Sequence, residues 1–431
     1  MSIWSSLITG SSGLGAFGQA IGLVGDNIAN VSTTGFKASR AGFADVLGGM
    51  AANGQRVGGG VEMGGPETLL GQGSLQQTGR ALDLAVRGRG LFALRGTHDG
   101  IEGTYYSRDG RFGIDKDGYV SNPEGLRLQG YPIDAAGVAS QTAGDLRMDL
   151  AAPPRATTSV TMGVNLDANS PVSPGFDPTD PTTYAYQTQV TVYDSLGAAH
   201  TADVYFVNNG GGQWEWHAMV DGGELNGGVA GTQTEIGTGT LTFNTDGTLQ
   251  AEGGGPITAD FVGATPGQAI QLDFGDAIAD GGTGLAGSSQ FAGADPTRPT
   301  SQVKSLAQDG FAAGNLVDLS LAEDGTVTAR FSNGNTRDVA RVALAIFGSE
   351  ESLQRAGSQL FTQTNASGEP LLGAAGEGAR GSISGGALEA SNVDLGSELV
   401  TLIAYQRAFQ ANARTVTTAD EMLAEIANLK R

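Results

Sequence analysis

Ile3–Val31 reads IWSSLITGSSGLGAFGQAIGLVGDNIANV and Leu395–Ile426 reads LGSELVTLIAYQRAFQANARTVTTADEMLAEI; these two stretches decide the fold. In the first, Leu7, Leu14, Ile21 and Ile28 stand seven apart, with Phe17, Val24 and Val31 on the adjacent line. In the second, Leu395, Leu402, Phe409, Val416 and Leu423 keep the same interval, flanked by Tyr405, Asn412, Ala419 and Ile426. A seven-residue apolar repeat is the seam of a coiled coil. Asn412 is the kind of polar interruption that fixes register at some cost in stability. Ser391, with Asp394 three residues on, resembles a capping box opening the second helix. Helices from opposite ends that pair require a chain that goes out and comes back.

The two helices differ in their own stability. Gly10, Gly13, Gly15, Gly18, Gly22 and Gly25 all fall in the first. At ~1 kcal/mol per Gly relative to Ala, they set roughly 6 kcal/mol against an isolated helix. Each buried Leu or Ile returns ~1.5–3 kcal/mol, but only where a partner surface exists. The expectation is an N-terminal helix that is disordered in the free monomer and orders on assembly. Gly18-x-x-x-Gly22 would let a neighbouring helix approach closely.

Between the helices the pattern turns to β. Leu82–Leu94, Gln187–Phe206, Trp214–Val220, Leu241–Phe243, Val317–Phe331 and Asp338–Phe347 alternate or are rich in β-branched and aromatic residues. Asp117-Gly118, Asp246-Gly247 and Asp324-Gly325 mark hairpin turns. The Pro/Gly/Thr-rich stretches Ala151–Thr158, Ser170–Thr183 and Gly275–Thr300 read as borders or loose loops around a central β unit. The expected fold class is mainly β with terminal α-helices, the helices pairing as a coiled-coil domain and two β domains inserted between them.

Composition narrows the function. The 431 residues hold 70 Gly and no Cys, and the formal net charge is −21. An acidic chain is a poor partner for nucleic acid, which needs Lys and Arg clusters. Without Cys there are no disulfides, thiol catalysis or iron–sulfur centres. No unbroken apolar run reaches the ~18 residues that suggest a membrane span, so no membrane insertion is expected. The N-terminus has no Lys or Arg before its apolar stretch, unlike a cleavable secretion signal.

Several motifs resemble chemistry without supporting it. Gly13-Leu-Gly15-Ala-Phe-Gly18 matches a dinucleotide fingerprint, but it sits inside the helical repeat and lacks the acidic residue about 20 positions on. Gly88-Arg-Gly90-Leu-Phe-Ala93 continues as strand and reads as a glycine-kinked hairpin. Asp115-Lys-Asp117-Gly118 starts like a calcium loop, yet the later ligands are missing. His98, His200 and His217 have no metal-ligand spacing. Trp214 and Trp216 share one face of a strand, most simply a core face. No catalytic, cofactor or metal site is expected, and no enzyme.

Longer motifs carry a resemblance. Asp26-Asn27-Ile28-Ala29-Asn30-Val31-Ser32-Thr33-Thr34-Gly35-Phe36-Lys37 resembles the N-terminal signature of the bacterial flagellar rod and hook axial proteins. Ser391–Leu395, Tyr405–Thr415 and Thr418–Leu423 resemble their C-terminal signature. Leu82–Phe92, Tyr106–Phe112 and Asp117–Val120 look like their shared β domain. Gln189–Gly197, Trp214–Trp216 and Asp309–Gly334 resemble the central part of the hook branch, which short rod members lack. Tyr106-Ser107-Arg108-Asp109-Gly110 departs slightly from the family's usual wording there.

The resemblance implies a structural subunit that polymerises helically into the hook: a curved, flexible tube that transmits torque from rod to filament and encloses the export channel. It implies terminal helices (residues 1–34 with 391–431) as an inner tube, and a connector over 35–73. A β domain shared by the family (74–157 with 303–390) and an outer inserted β domain (158–302) follow. The helix seams named above become subunit interfaces, and Asn27, Asn30, Thr34, Gly35, Phe36 and Lys37 the family motif. Partners implied are other copies of the chain, the hook cap during assembly, the distal rod and hook–filament junction proteins, and the flagellar type III export apparatus. The implied location is extracellular, at the flagellar hook, reached without a cleaved signal peptide. A distal rod protein is the nearest alternative. A Gly/Asp-rich surface adhesin, which would need repeated calcium motifs and a secretion signal, is a more distant one.

Overall fold

The computed structural model describes residues 3–50, 56–134, 137–173, 175–294 and 300–429. The chain is mainly β, with one long helix at each end: α1 (Ile3–Ala29) and α2 (Leu395–Leu429). It divides into two compact units. One comprises residues 1–149, 317–330 and 336–431; the other comprises 150–316 and 331–335.

In the first unit α1 and α2 run antiparallel against each other. Phe17 stacks near Tyr405 at 5.9 Å between ring centroids, and Asn27 bonds Glu398. The buried line of α1 passes through Gly10, Gly13, Ala16, Ala20, Val24 and Asn27. A Cβ on Gly10 would stand 2.8 Å from Val416 Cγ2, and one on Gly13 2.7 Å from the Asn412 amide carbon. Small residues are what let the α2 side chains seat there.

Leu7, Leu14, Phe17, Ile21 and Ile28 lie half-buried beside the small-residue line, and Val31 falls beyond the end of the helix. On α2, Leu402, Tyr405, Asn412, Val416 and Leu423 are half-buried and Ala419 is buried, whereas Leu395, Phe409 and Ile426 are exposed. Asn412 donates to Ala408 O within its own helix (2.9 Å) and packs on Gly13. Asp394 is the N-cap, its Oδ1 accepting Ser397 N–H at 2.7 Å, so the cap sits three residues later than Ser391.

Strands Phe43–Met50 and Arg56–Met63 form an antiparallel hairpin with bulges near Leu47, and those bulges break the alternation that would have revealed it. The hairpin packs on α1, where Ser12 Oγ accepts Val61 N–H at 3.2 Å. Phe43 lies 5.2 Å from Phe17 and 5.8 Å from Tyr405. In the single chain α1 is thus already helical, with α2 and this hairpin as partner surface.

By length and composition Trp4–Ala29 is apolar enough to cross a membrane, which corrects the estimate from unbroken runs. Gly, Ser and Ala interrupt the apolar run without adding charge, and Asp26 is the first charged residue of the helix. Its small-residue face is covered by the chain itself.

The β part of this unit is an antiparallel sheet. Its strands run in the order Thr326–Phe331, Thr336–Ile346, Arg127–Pro132, Leu91–His98, Ile101–Ser107, Leu360–Thr362, Gln354–Gly357. Leu91, Ala93, Tyr106, Ala345, Phe347, Leu353 and Phe361 pack as one core cluster. Gly88 (φ +101°) and Gly90 (φ +123°) do not close a hairpin, contrary to expectation. They carry the chain from Leu84–Arg87, paired with Ser382–Gly385, into Leu91–His98, paired with Ile101–Ser107.

The second unit is a sandwich. One sheet is the meander Tyr186–Tyr193, Ala199–Gly210, Gln213–Asp221, Gln233–Phe243, Leu249–Gly254. The other orders Ile257–Ala259, Gln268–Asp273, Ser159–Asn165, Gln302–Gln308. Val160, Met162 and Val164 from one sheet meet Val190, Val204, Trp214 and Trp216 from the other in a single core. Both tryptophans face inward, as their alternation predicts. Asp246-Gly247 closes a hairpin here, with Asp246 Oδ1 accepting Thr248 N–H at 3.0 Å.

Candidate functional site

Among the described residues no cluster of His, Asp and Glu could hold a metal ion. The most elaborate polar arrangement lies instead in the first unit, where the end of α1 meets the start of α2. Asn27, only 1% exposed, donates to Ser39 O at 2.7 Å and accepts from Ser39 N–H at 2.9 Å. Its amide thus pairs with one residue's backbone as a neighbouring strand would, while Nδ2 also reaches Glu398 Oε1 at 3.1 Å. One turn on, Asn30 Nδ2 donates to Asp26 O at 2.9 Å, and Asn30 Oδ1 accepts from Thr33 Oγ1 at 3.0 Å. These bonds satisfy groups that the helix terminus would otherwise leave open. Thr34 is half-buried in the turn that follows.

Gly35 then reverses the chain in the left-handed region (φ +68°). A Cβ there would sit 2.5 Å from Asp109 N, so both the dihedral and the close approach require glycine. Its N–H donates to Glu389 O at 2.7 Å. Phe36 is buried beneath the Arg355 guanidinium, which lies 5.1 Å from the ring centroid in cation–π geometry.

Lys37 completes the motif. Its side chain and that of Glu389 are both fully inaccessible, with Nζ 2.6 Å from Oε1. Nζ also donates to Gly71 O at 2.8 Å. The other oxygen, Glu389 Oε2, takes Arg108 Nη1 at 3.0 Å, and Arg108 also donates to Val86 O and Gly88 O. Gly73 N–H adds a further bond to Glu389 Oε1 at 2.7 Å. Burial holds the Lys37 ammonium below the ordinary lysine value, opposed by the adjacent Glu389 carboxylate. Asn392 closes the arrangement. Its Oδ1 accepts Ala38 N–H at 2.7 Å, while Nδ2 donates to Leu69 O and Gly71 O.

The chemistry is that of a clamp, with no nucleophile or proton relay. One carboxylate, that of Glu389, serves two cations and a backbone N–H. Breaking such a buried pair by removing one partner typically costs 3–5 kcal/mol.

Asn27, Asn30, Gly35, Phe36 and Lys37 therefore come together with residues 389–398, and Thr34 lies in the turn between them. Most of the helix-seam residues lie along α1 and α2 beyond this clamp, with Ile28, Val31 and Leu395 at its edge. Reading the sequence missed Glu389, Arg108, Asn392 and Arg355 as partners. Arg108 and Asn392 stand inside the stretches that carry the family resemblance, which was the available signal; Glu389 and Arg355 carried none. The histidines proved to be carboxylate partners. His200 Nδ1 lies 2.7 Å from Glu224 Oε2 and His217 Nδ1 2.7 Å from Glu235 Oε1, both in the second unit.

Comparison with known proteins bears on all of this. Residues 7–37 match the family described as flagella basal body rod protein, and 85–165 the flagellar hook protein FlgE/F/G D1 domain. Residues 165–311 match the flagellar basal body protein FlaE D2 domain, and 384–429 the C-terminal family of the flagellar basal body rod FlgEFG proteins. The chain is 35% identical to the flagellar hook protein FlgE of Escherichia coli, covering 97% of this chain and 98% of that one. The FlgE proteins of Treponema pallidum (32%, 99% of each chain) and Brucella suis (31%, 100% of each) are similar too. The crystal structure of Helicobacter pylori flagellar hook protein FlgE2 aligns at a TM-score of 0.47 and 16% identity, over 73% of this chain and 100% of that one.

Proposed function

The chain belongs to the flagellar hook protein family, and from that premise we propose how it builds a hook. It is a structural subunit of the bacterial flagellar hook, and its place is the flagellum. Copies stack helically into a tube, α1 and α2 pairing as a coiled coil toward the export channel. The second unit, 150–316 with 331–335, is inserted as an outer domain whose wet, acidic contacts slide as the curved tube turns. Wet polar interfaces re-form more readily than packed apolar ones. The helix seams serve the contacts between copies. The subunit leaves through the flagellar type III apparatus without a cleaved signal, grows beneath the hook cap, and joins the distal rod below and the hook–filament junction above.

The observation that supports polymerisation is the set of apolar side chains on α2 that its own chain leaves bare. Leu395, Leu399, Val400 and Ile403 near its start, and Met422 and Ile426 near its end, are each 44% or more exposed. Exposed apolar clusters of this kind mark contact surfaces, and a second copy supplies matching helices.

Leu402→Asp should abolish polymerisation, because a carboxylate in the helix contact has no counter-charge. Circular dichroism should still show the β units folded. Electron microscopy of purified Leu402→Asp that found normal tubes would remove the seam from the mechanism.

A further inference from the structure

Behind the clamp lies a cleft of about 230 Å³, lined in part by Asp26, Asn30, Phe36, Arg355, Ser358 and Gln359. We propose that this cleft is a carboxylate-binding site, and that it receives an Asp or Glu side chain from a second copy of the chain, held by Arg355. The proposal rests on the polymer reading above and adds a site to it.

Arg355 is half-buried against Phe36, and two of its nitrogens are committed. Nε lies 3.4 Å from Thr68 Oγ1, and Nη2 donates to Lys37 O. Nη1 has no hydrogen-bond partner among the described residues, and no carboxylate there lies within ion-pair distance of the guanidinium. Burial pushes the guanidinium down from its ordinary value, and Asp26 opposes this from longer range. The other charges nearby are already matched: Lys37 and Arg108 by Glu389, and Arg111 by Asp109 at 2.6 Å. A half-desolvated cation without a partner leaves a charge-assisted hydrogen bond unmade.

The far wall is the two-residue turn Ser358-Gln359 (φ +47° and +59°), which joins the paired strands Gln354–Gly357 and Leu360–Thr362. The occupant follows from charge. Asp26 faces the same cleft and disfavours a multiply charged anion, leaving a single carboxylate as the better fit. The chain carries 45 Asp and Glu against 24 Lys and Arg, so a neighbouring copy presents many such groups.

The test uses the full chain and its polymer. Arg355→Gln should raise the critical concentration for polymerisation about ten- to hundredfold, a larger effect than the lowered urea midpoint that loss of its contacts to Phe36 and Lys37 O gives the free chain. Arg355→Lys should polymerise, and carbodiimide treatment of that polymer should join the new amine to an Asp or Glu of another copy, identified by mass spectrometry. An unchanged critical concentration for Arg355→Gln overturns the proposal. So does a cross-link only to Asp26 of the same chain, or none. If the unaltered chain forms no polymer, the reading of a self-assembling subunit falls with it; if it does and these variants behave like it, only the cleft assignment falls.

Discussion

Glu389 holds one negative charge between Lys37 and Arg108 at 2.6 and 3.0 Å, with no water-accessible surface on its side chain. Glu389→Gln would leave two buried cations sharing one neutral amide. The expected loss is about 3–5 kcal/mol from the first unit, read as a lower urea midpoint, with the second unit's transition unmoved. A loss under 1 kcal/mol would mean that water reaches the clamp. Gly35 belongs to the same scale, since its left-handed backbone and the 2.5 Å approach to Asp109 N leave no room for a side chain. Of this clamp, residues 26–37 were legible in the sequence because they form one contiguous signature. Glu389 was not, because no local period links positions that far apart, and a lone Glu between Leu388 and Ala390 reads as strand surface.

For a helix the question becomes which glycines are there to be small. Gly10 and Gly13 press on Val416 and Asn412, whereas Gly15, Gly22 and Gly25 have open space where a Cβ would stand. Alanine at Gly15, Gly22 or Gly25 should stabilise α1 by up to ~1 kcal/mol each through helix propensity, seen as added helicity in the free chain. Gly13→Ala should instead lose helicity and stability as Asn412 is displaced. Equal gains at Gly13 and Gly15 would contradict the antiparallel packing of α1 on α2. The seven-residue repeat announced two helices, but it did not single out the small residues of α1. The structure puts the small ones innermost, because the close approach of α2 is made over glycine and alanine. The hairpin of residues 43–63 stayed hidden for a related reason: its bulges and glycines erase the alternation that identifies a strand.

Across the whole molecule, the β content and the sandwich strands were visible in advance through alternation, as with Trp214 and Trp216. The units part at 149/150 and 316/317, with the turn 331–335 added. Strand Gly314–Leu321 runs through one limit unbroken, so no change of composition marks it. A chain lacking residues 150–316, with 331–335 replaced by a short turn, should keep the first unit folded and assemble into a straighter or stiffer tube. Electron microscopy that found no tube would make the second unit part of assembly itself. The clamp has a consequence in time as well. A ribosome releases Lys37 352 residues ahead of Glu389, and Ala38 354 ahead of Asn392. The opening signature therefore waits, unmatched, for almost the whole of translation. A copy that terminates early never acquires its counter-charge, so the last-made residues certify the first, and an incomplete molecule is marked by its own unfinished beginning.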